Sequence, residues 1–230
     1  MSAGKVQDTT NEGQAPGLGD VAYREMKERL IRGEYKPGKK LTVRAVAEDL
    51  GFSSTPARDA INRLAGEGAL VYSGPKTVIV PVLNEDSLRE ITLIRLALEG
   101  LAAQLAANSS TVEDIERLKD IQNYINGALD QRDYETALRY NKDFHFHVYG
   151  MARLPRLLSM IEGAWLRVGP SLYDLYPEFA EEKYGVRNHQ LAIEALEEKD
   201  GASLRAAFES DIRDGYRRLR QAARVRSETR

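Results

Sequence analysis

Apolar residues recur at helical spacing through Val21, Met26, Leu30 and Ile31, and the stretch closes on Gly33 and Pro37-Gly38. That pattern predicts a helix over about 21–31 followed by a turn. Leu41-Thr-Val is a short extended piece, and Val43, Val46, Ala47 and Leu50 form a second helical stripe that Gly51 ends. A third helix starts at Thr55-Pro56, where a first-turn proline costs no hydrogen bond, and its apolar face is Ala57, Ala60, Ile61 and Leu64. After Gly68 the period changes to two: Leu70-Val-Tyr, a Ser73-Gly74-Pro75 turn, then Thr77 to Val82. Helix, glycine-containing turn, helix and a two-stranded wing is a DNA-reading arrangement, in which the second helix of the pair offers its N-terminal residues to the major groove.

Beyond Leu83 only helical periods appear, over about 86–107, 112–131, 133–152, 155–175, 178–199 and 202–222. Asn84 and Ser110 are the expected N-caps, Pro155 opens a first turn, Gly169-Pro170 marks a kink and Gly201 ends the fifth helix. Six such helices suffice for a bundle. The fold class is therefore mainly α: a winged helix-turn-helix over 20–83 and a six-helix bundle over 84–230. Residues 1–19 hold almost no large apolar side chain and read as a flexible arm.

Composition adds constraints. The net charge of −2 hides an asymmetry, because residues 20–82 hold 11 Lys or Arg against 8 Asp or Glu, whereas 83–230 hold 21 against 25. The phosphate backbone is expected to meet the positive part. The competing reading is a solvated face carrying Arg58, Arg63 and Lys76. The chain has no cysteine, which removes disulfides and thiolate chemistry. It has neither an uncharged apolar run of eighteen residues nor a secretory-type leader, so a cytoplasmic location with no membrane contact is expected.

Polar residues on apolar faces carry the candidate chemistry of the bundle. Asn141 and His145 share a stripe with Leu138 and Val148, while His147 points about 160° away from His145 and is assigned a surface or packing role. His189 shares a stripe with Ile193 and Leu196, and Asp211 shares one with Leu204, Ala207 and Phe208. His189 lies 12 residues before Gly201 and Asp211 lies 10 after it, so an antiparallel hairpin sets them level within roughly 3 Å. They form either a shared site or a hydrogen-bonded core cluster.

The segment 20–83 resembles the winged helix-turn-helix of the GntR superfamily of bacterial transcription regulators. The carriers are Gly33-Glu-Tyr-Lys-Pro-Gly-Lys-Lys-Leu41, Val46-Ala-Glu-Asp-Leu-Gly-Phe-Ser-Ser-Thr-Pro-Ala-Arg-Asp-Ala-Ile61 and Leu64-Ala-Gly-Glu-Gly68. The resemblance implies DNA contacts at Arg44, at Ser53, Ser54, Thr55 and Arg58 on the recognition helix, and at Gly74 and Lys76 in the wing. Ser54 stands where the family usually has an arginine that would reach a guanine edge, so the operator is not expected to be a common family one.

The bundle resembles the FCD effector domain of the FadR branch, over roughly 86–225, in the six-helix form of its VanR and McbR type. The carriers are Arg95-Leu-Ala-Leu-Glu99, Asn141-Lys-Asp-Phe-His145 and His189-Gln-Leu-Ala-Ile-Glu-Ala-Leu196. The resemblance implies a divalent metal at Asn141, His145, His189 and Asp211, with Asn in place of the usual Asp and Asp in place of the usual His. Two imidazoles and two oxygens suit zinc, nickel or manganese. It also implies that Arg95 holds the carboxylate of a metabolite beside the metal, with Trp165, Arg167, Tyr173 and Tyr176 lining the same cavity. The simpler reading of Arg95 is an i, i+4 pair with Glu99.

Together these readings describe a ligand-responsive, homodimeric transcription regulator that binds double-stranded operator DNA as a repressor and is not an enzyme. The rivals are an all-helical metalloenzyme with an attached DNA-binding module and an architectural DNA-binding protein without effector. The first lacks any nucleophile elbow, phosphate loop or His-Glu-x-x-His. The second leaves the inward-facing His145, His189 and Asp211 without a purpose. The Arg-rich tail is expected to fray beyond about residue 224, since only Val225 could anchor it.

Overall fold

The computed structural model describes residues 16–176, 181 and 184–228. Most of the expected N-terminal arm, and the expected start of the fifth bundle helix at 178, lie outside these residues. The N-terminal part runs α1 (Leu18–Ile31), β1 (Lys40–Thr42), α2 (Val43–Leu50), α3 (Ser54–Gly66), β2 (Val71–Gly74) and β3 (Thr77–Ile79). Gly51 caps α2 in the left-handed conformation at φ +69°, as its place in the sequence predicts. The piece at Leu41 becomes a strand of the wing, giving antiparallel order β1-β3-β2 with Leu41 opposite Val78. Met26, Leu30, Ala57, Ile61, Leu64 and Val78 form the core beneath this sheet.

The second part is α4 (Glu85–Ser109), α5 (Val112–Asp130), α6 (Tyr134–Met151), α7 (Pro155–Val168), a 3-10 helix (Gly169–Leu175), α8 (Tyr184–Glu197) and α9 (Gly201–Glu228). Asn84 caps α4, with Ser87 N–H donating to its Oδ1 at 2.8 Å, and Pro155 opens α7. Four expectations are corrected. Ser110 ends α4, its hydroxyl donating to Ala107 O, and Thr111 caps α5 through a reciprocal capping box with Asp114. The left-handed position after α8 is filled by Lys199 at φ +56°, whose ammonium is held by Ser110, and Gly201 instead opens α9. The helix expected over 155–175 tightens at Gly169-Pro170 into three residues per turn. The tail does not fray at 224: α9 runs to Glu228, because Arg224 grips Glu85 with two hydrogen bonds and Arg226 pairs with Asp174.

α4 packs along α9, with Gly100 of α4 lying against Arg205 and Glu209. The two parts share one continuous apolar core. Their joint is tight where α1 meets the 3-10 helix: a Cβ on Gly169 would lie 2.5 Å from Ile31 O, and one on Gly33 would lie 2.9 Å from Gly169 O. Ion pairs Lys27–Glu162 (2.6 Å) and Lys142–Glu28 (2.7 Å) flank this contact.

Gly201 shows how closely α4 and α9 fit, since a Cβ there would sit 2.6 Å from the Gln104 carbonyl oxygen. A clash with backbone cannot be relieved by a rotamer change. Gly201→Ala is therefore expected to destabilise the fold by about 1–3 kcal/mol, read as a lower urea midpoint at unchanged slope.

Candidate functional site

Two sets of side chains carry chemistry. The first surrounds a groove of about 540 Å³ between α3 and the wing, lined among others by Arg44, Ser54, Arg58, Asn62, Tyr72 and Lys76, with no carboxylate among its lining residues. Ser53, Thr55 and Gly74 sit at its margins rather than in its wall, with Ser53 and Thr55 exposed. Ser53 is the residue before α3 and its hydroxyl makes no capping bond, which leaves it available to an outside partner. Among the described residues Arg44 pairs only with Glu48 (2.8 Å), both side chains largely exposed, so the pair is weak. Asn62 and Tyr72 carry no local sequence signal that sets them apart. Tyr72 OH donates to Asn62 Oδ1 at 2.6 Å and ties the wing to α3.

The second set lies inside the bundle. α6 supplies His145, α8 His189 and α9 Asp211, and one ligand atom of each falls within 4.8 Å of the others. His145 Nε2 is 3.3 Å from His189 Nε2 and 3.4 Å from Asp211 Oδ2. Both imidazoles are buried, His189 stacked on Phe144 at 3.9 Å and His145 edge-on to Phe208. Level heights on the α8–α9 hairpin produce this meeting, even though the turn is at Lys199 rather than Gly201. Asn141 lines the adjoining cavity of about 30 Å³, together with Arg95, Trp165, Leu172, Leu175 and Tyr176. His147 is apart from all this, 3.1 Å from Asp114 near the surface.

Around these residues the bundle supplies further polar groups. Gln122 of α5, on an otherwise apolar stripe with Leu118, Ile121 and Ile125, meets His189 Nδ1 at 2.7 Å. Tyr149 meets His145 Nδ1 at 2.9 Å and Glu99 at 2.5 Å. Arg95 is held by Glu99 through Nε (2.6 Å) and Nη2 (3.1 Å) and lies over Trp165, so it takes the i, i+4 pairing of the simpler reading. Trp165 is buried with an indole N–H that has no partner among the described residues.

Two expected lining residues are corrected. Arg167 is two residues, about 200° of helix, beyond Trp165, and it faces the winged part, where it donates to Glu67 O at 3.2 Å. In the 3-10 helix Leu172 and Leu175 share a face at i, i+3, which turns Tyr173 outward beneath the Lys36 ammonium at 4.0 Å. Tyr176 does line the cavity and stacks on Tyr134.

The donor set fits a divalent cation. Two imidazole nitrogens and a carboxylate oxygen converge in a buried pocket, and in both histidines Nδ1 is already occupied by a hydrogen bond, which leaves Nε2 as the converging atom. Burial, with His145 beside it, pushes the His189 pKa down to about 3. Burial opposes ionisation of Asp211, but its contact with His145 prevails and holds the carboxyl below its ordinary range.

In metal-free protein the depressed His189 value has a definite sign. Between about pH 6.5 and 3 the unfolded chain binds a proton that the folded chain refuses. Stability is then complete above pH 6.5 and falls as the pH drops, by about 1.4 kcal/mol per unit. Urea unfolding of chelator-treated protein at pH 7.5 and pH 5.5 checks this, and His189→Phe should flatten the difference.

Comparison with known proteins matches residues 18–78 to the model of bacterial regulatory proteins of the gntR family and residues 90–214 to the FCD domain. The chain is 34% identical over 195 residues to the HTH-type transcriptional regulator McbR of Escherichia coli (strain K12), covering 80% of this chain and 88% of that protein. It is 28% identical over 136 residues to the Nta operon transcriptional regulator of Aminobacter aminovorans, covering 58% and 63%. The solved structure of E. coli McbR/YncC superposes with a TM-score of 0.83 at 30% identity, covering 90% of this chain and 99% of that one. These relatives are named as regulators and not as enzymes. The chain belongs to the GntR family of bacterial transcription regulators and carries an FCD domain.

Proposed function

We propose that this regulator is a homodimeric repressor whose grip on a palindromic operator is relaxed when a small carboxylate metabolite enters a metal-containing cavity in the bundle. The observation that carries the reading is the double role of the 3-10 helix. Leu172 and Leu175 form one wall of the cavity, while Gly169 at its start is wedged against the Leu30 and Ile31 carbonyls of α1. A cavity of about 30 Å³ has room for an ion and little more. A metabolite must therefore displace that wall, and the wall cannot move outward without moving α1. Interfaces of this tightness shift between discrete packings rather than stretch.

His145, His189 and Asp211 would hold the metal, with Asn141 as a weaker fourth partner. Bound there, a divalent ion supplies open coordination positions for a carboxylate oxygen. The indole N–H of Trp165 offers a hydrogen bond to the same ligand, since it has no partner among the described residues. Zinc, nickel and manganese all suit this donor set. The dimer reading is supported by α4, which leaves Ile94, Leu101 and Leu105 exposed at helical spacing, with Leu93 beside them. A second copy would cover this stripe and place two winged parts on the half-sites of a palindrome.

DNA contact is proposed through Arg44, Ser53, Ser54, Thr55, Arg58, Gly74 and Lys76. Arg58→Ala is expected to weaken operator binding by about 1–3 kcal/mol, while Lys76→Ala should weaken all sequences alike and lower the salt slope by about one. Anisotropy titrations at several salt concentrations measure both, and unchanged affinity and slope in both variants would sink the assignment. The metal reading is tested by elemental analysis and melting. Saturating zinc, nickel or manganese should stabilise the wild type by about 2.7 kcal/mol at a hundredfold excess over Kd. His189→Ala should show no shift. A wild type that binds none of the three leaves a hydrogen-bonded core cluster. Release of an operator fragment by metabolite carboxylates, dependent on added metal, tests the effector reading.

A further inference from the structure

Glu99 has no exposure, and both its oxygens accept hydrogen bonds from Arg95. A guanidinium can only donate, so both Glu99 oxygens act as acceptors toward it. Tyr149 Oη, 2.5 Å from Glu99 Oε2, must therefore give its single proton to Glu99. Toward His145 Nδ1, 2.9 Å away, the same oxygen then offers only a lone pair. Nδ1 of His145 must carry the hydrogen, and a neutral imidazole has no second one for Nε2.

The other imidazole is fixed in the same sense by a different group. Gln122 donates through Nε2 to Asn126 Oδ1 at 2.8 Å, which turns its carbonyl oxygen to His189 Nδ1 at 2.7 Å. His189 therefore also carries its hydrogen on Nδ1. The two Nε2 atoms face each other at 3.3 Å, and Asp211 Oδ2 lies 3.4 Å from that of His145, so both imidazoles turn the nitrogen not engaged by a fixed partner toward one point.

We infer that Arg95, Glu99 and Tyr149 form a relay of positioning residues that fixes the tautomer of His145, so that its Nε2 lone pair is presented to a metal ion. Arg95 acts on the site through three hydrogen bonds and not by gripping a ligand carboxylate. The relay serves the metal reading above, but the tautomer it sets exists in the metal-free protein and can be judged there.

Glu99→Gln is the sharpest variant because it keeps shape and reverses direction. With its oxygen on Arg95, the new amide would donate to Tyr149 Oη, and Tyr149 would turn its proton to His145 Nδ1. The hydrogen of His145 would then move to Nε2. Nitrogen-15 spectra of histidine-labelled, metal-free protein should show the Nδ1–H pattern for His145 in the wild type and the Nε2–H pattern in Glu99→Gln. Zinc affinity by chelator competition should fall about 10–100-fold in Glu99→Gln and in Tyr149→Phe. Circular dichroism melts identify any variant that has failed to fold, and Tyr149→Phe, which removes the relay oxygen alone, serves if Glu99→Gln does not. An Nε2–H wild type, or folded variants with unchanged zinc affinity, overturns the relay. A wild type with the Nδ1–H pattern that binds no zinc overturns the metal reading and leaves the tautomer assignment standing.

Discussion

Burial of the Arg95–Glu99 pair one turn apart on α4 is the constraint around which the bundle is arranged. An ion pair taken out of water holds only if its remaining lone pairs and protons find partners. Tyr149 from α6 meets one of these needs, and Trp165 from α7 covers the guanidinium with its ring. The same pair thus ties three helices together and reaches His145 by a single further hydrogen bond. Removing either charge would leave the other stranded in an apolar interior, which is why this polar cluster behaves as one unit rather than as separate contacts.

From that centre the structure extends in two directions. On one side the imidazoles and Asp211 converge on a small cavity. On the other the 3-10 helix closes the cavity and rests on α1 through glycine-to-carbonyl contacts that admit no side chain. Lys36 over Tyr173 and Arg167 on Glu67 add polar contacts along the same seam. The groove lined by Arg44, Arg58 and Lys76 is built in the winged part, from α3 and a wing held to it by Tyr72 and Asn62. Chemistry in the bundle and geometry at the groove are therefore separated by one helix, α1, packed on both sides.

The winged part was legible because its punctuation is local: Gly51, Pro56, Gly68 and the Ser73-Gly74-Pro75 turn each act within a few residues. His145, His189 and Asp211 were legible because helical period and hairpin height fix both face and level. Gln122 and Tyr149 were not, since an amide or a phenol on an apolar stripe looks the same in sequence whether it packs or positions a ligand. Tyr173 turns outward because the angular advance per residue changes at Gly169, and Arg167 lies on the face of α7 opposite Trp165, a difference of face that neither residue's type reveals. The end of α9 depended on Glu85 and Asp174, distant partners that no local pattern contains.

X-ray absorption at the zinc edge of the metal-loaded protein tests the central claim most directly. A nitrogen and oxygen first shell with the scattering signature of two imidazoles is expected, reduced to one in His189→Ala. A shell of oxygens alone, without imidazole scattering, would contradict it.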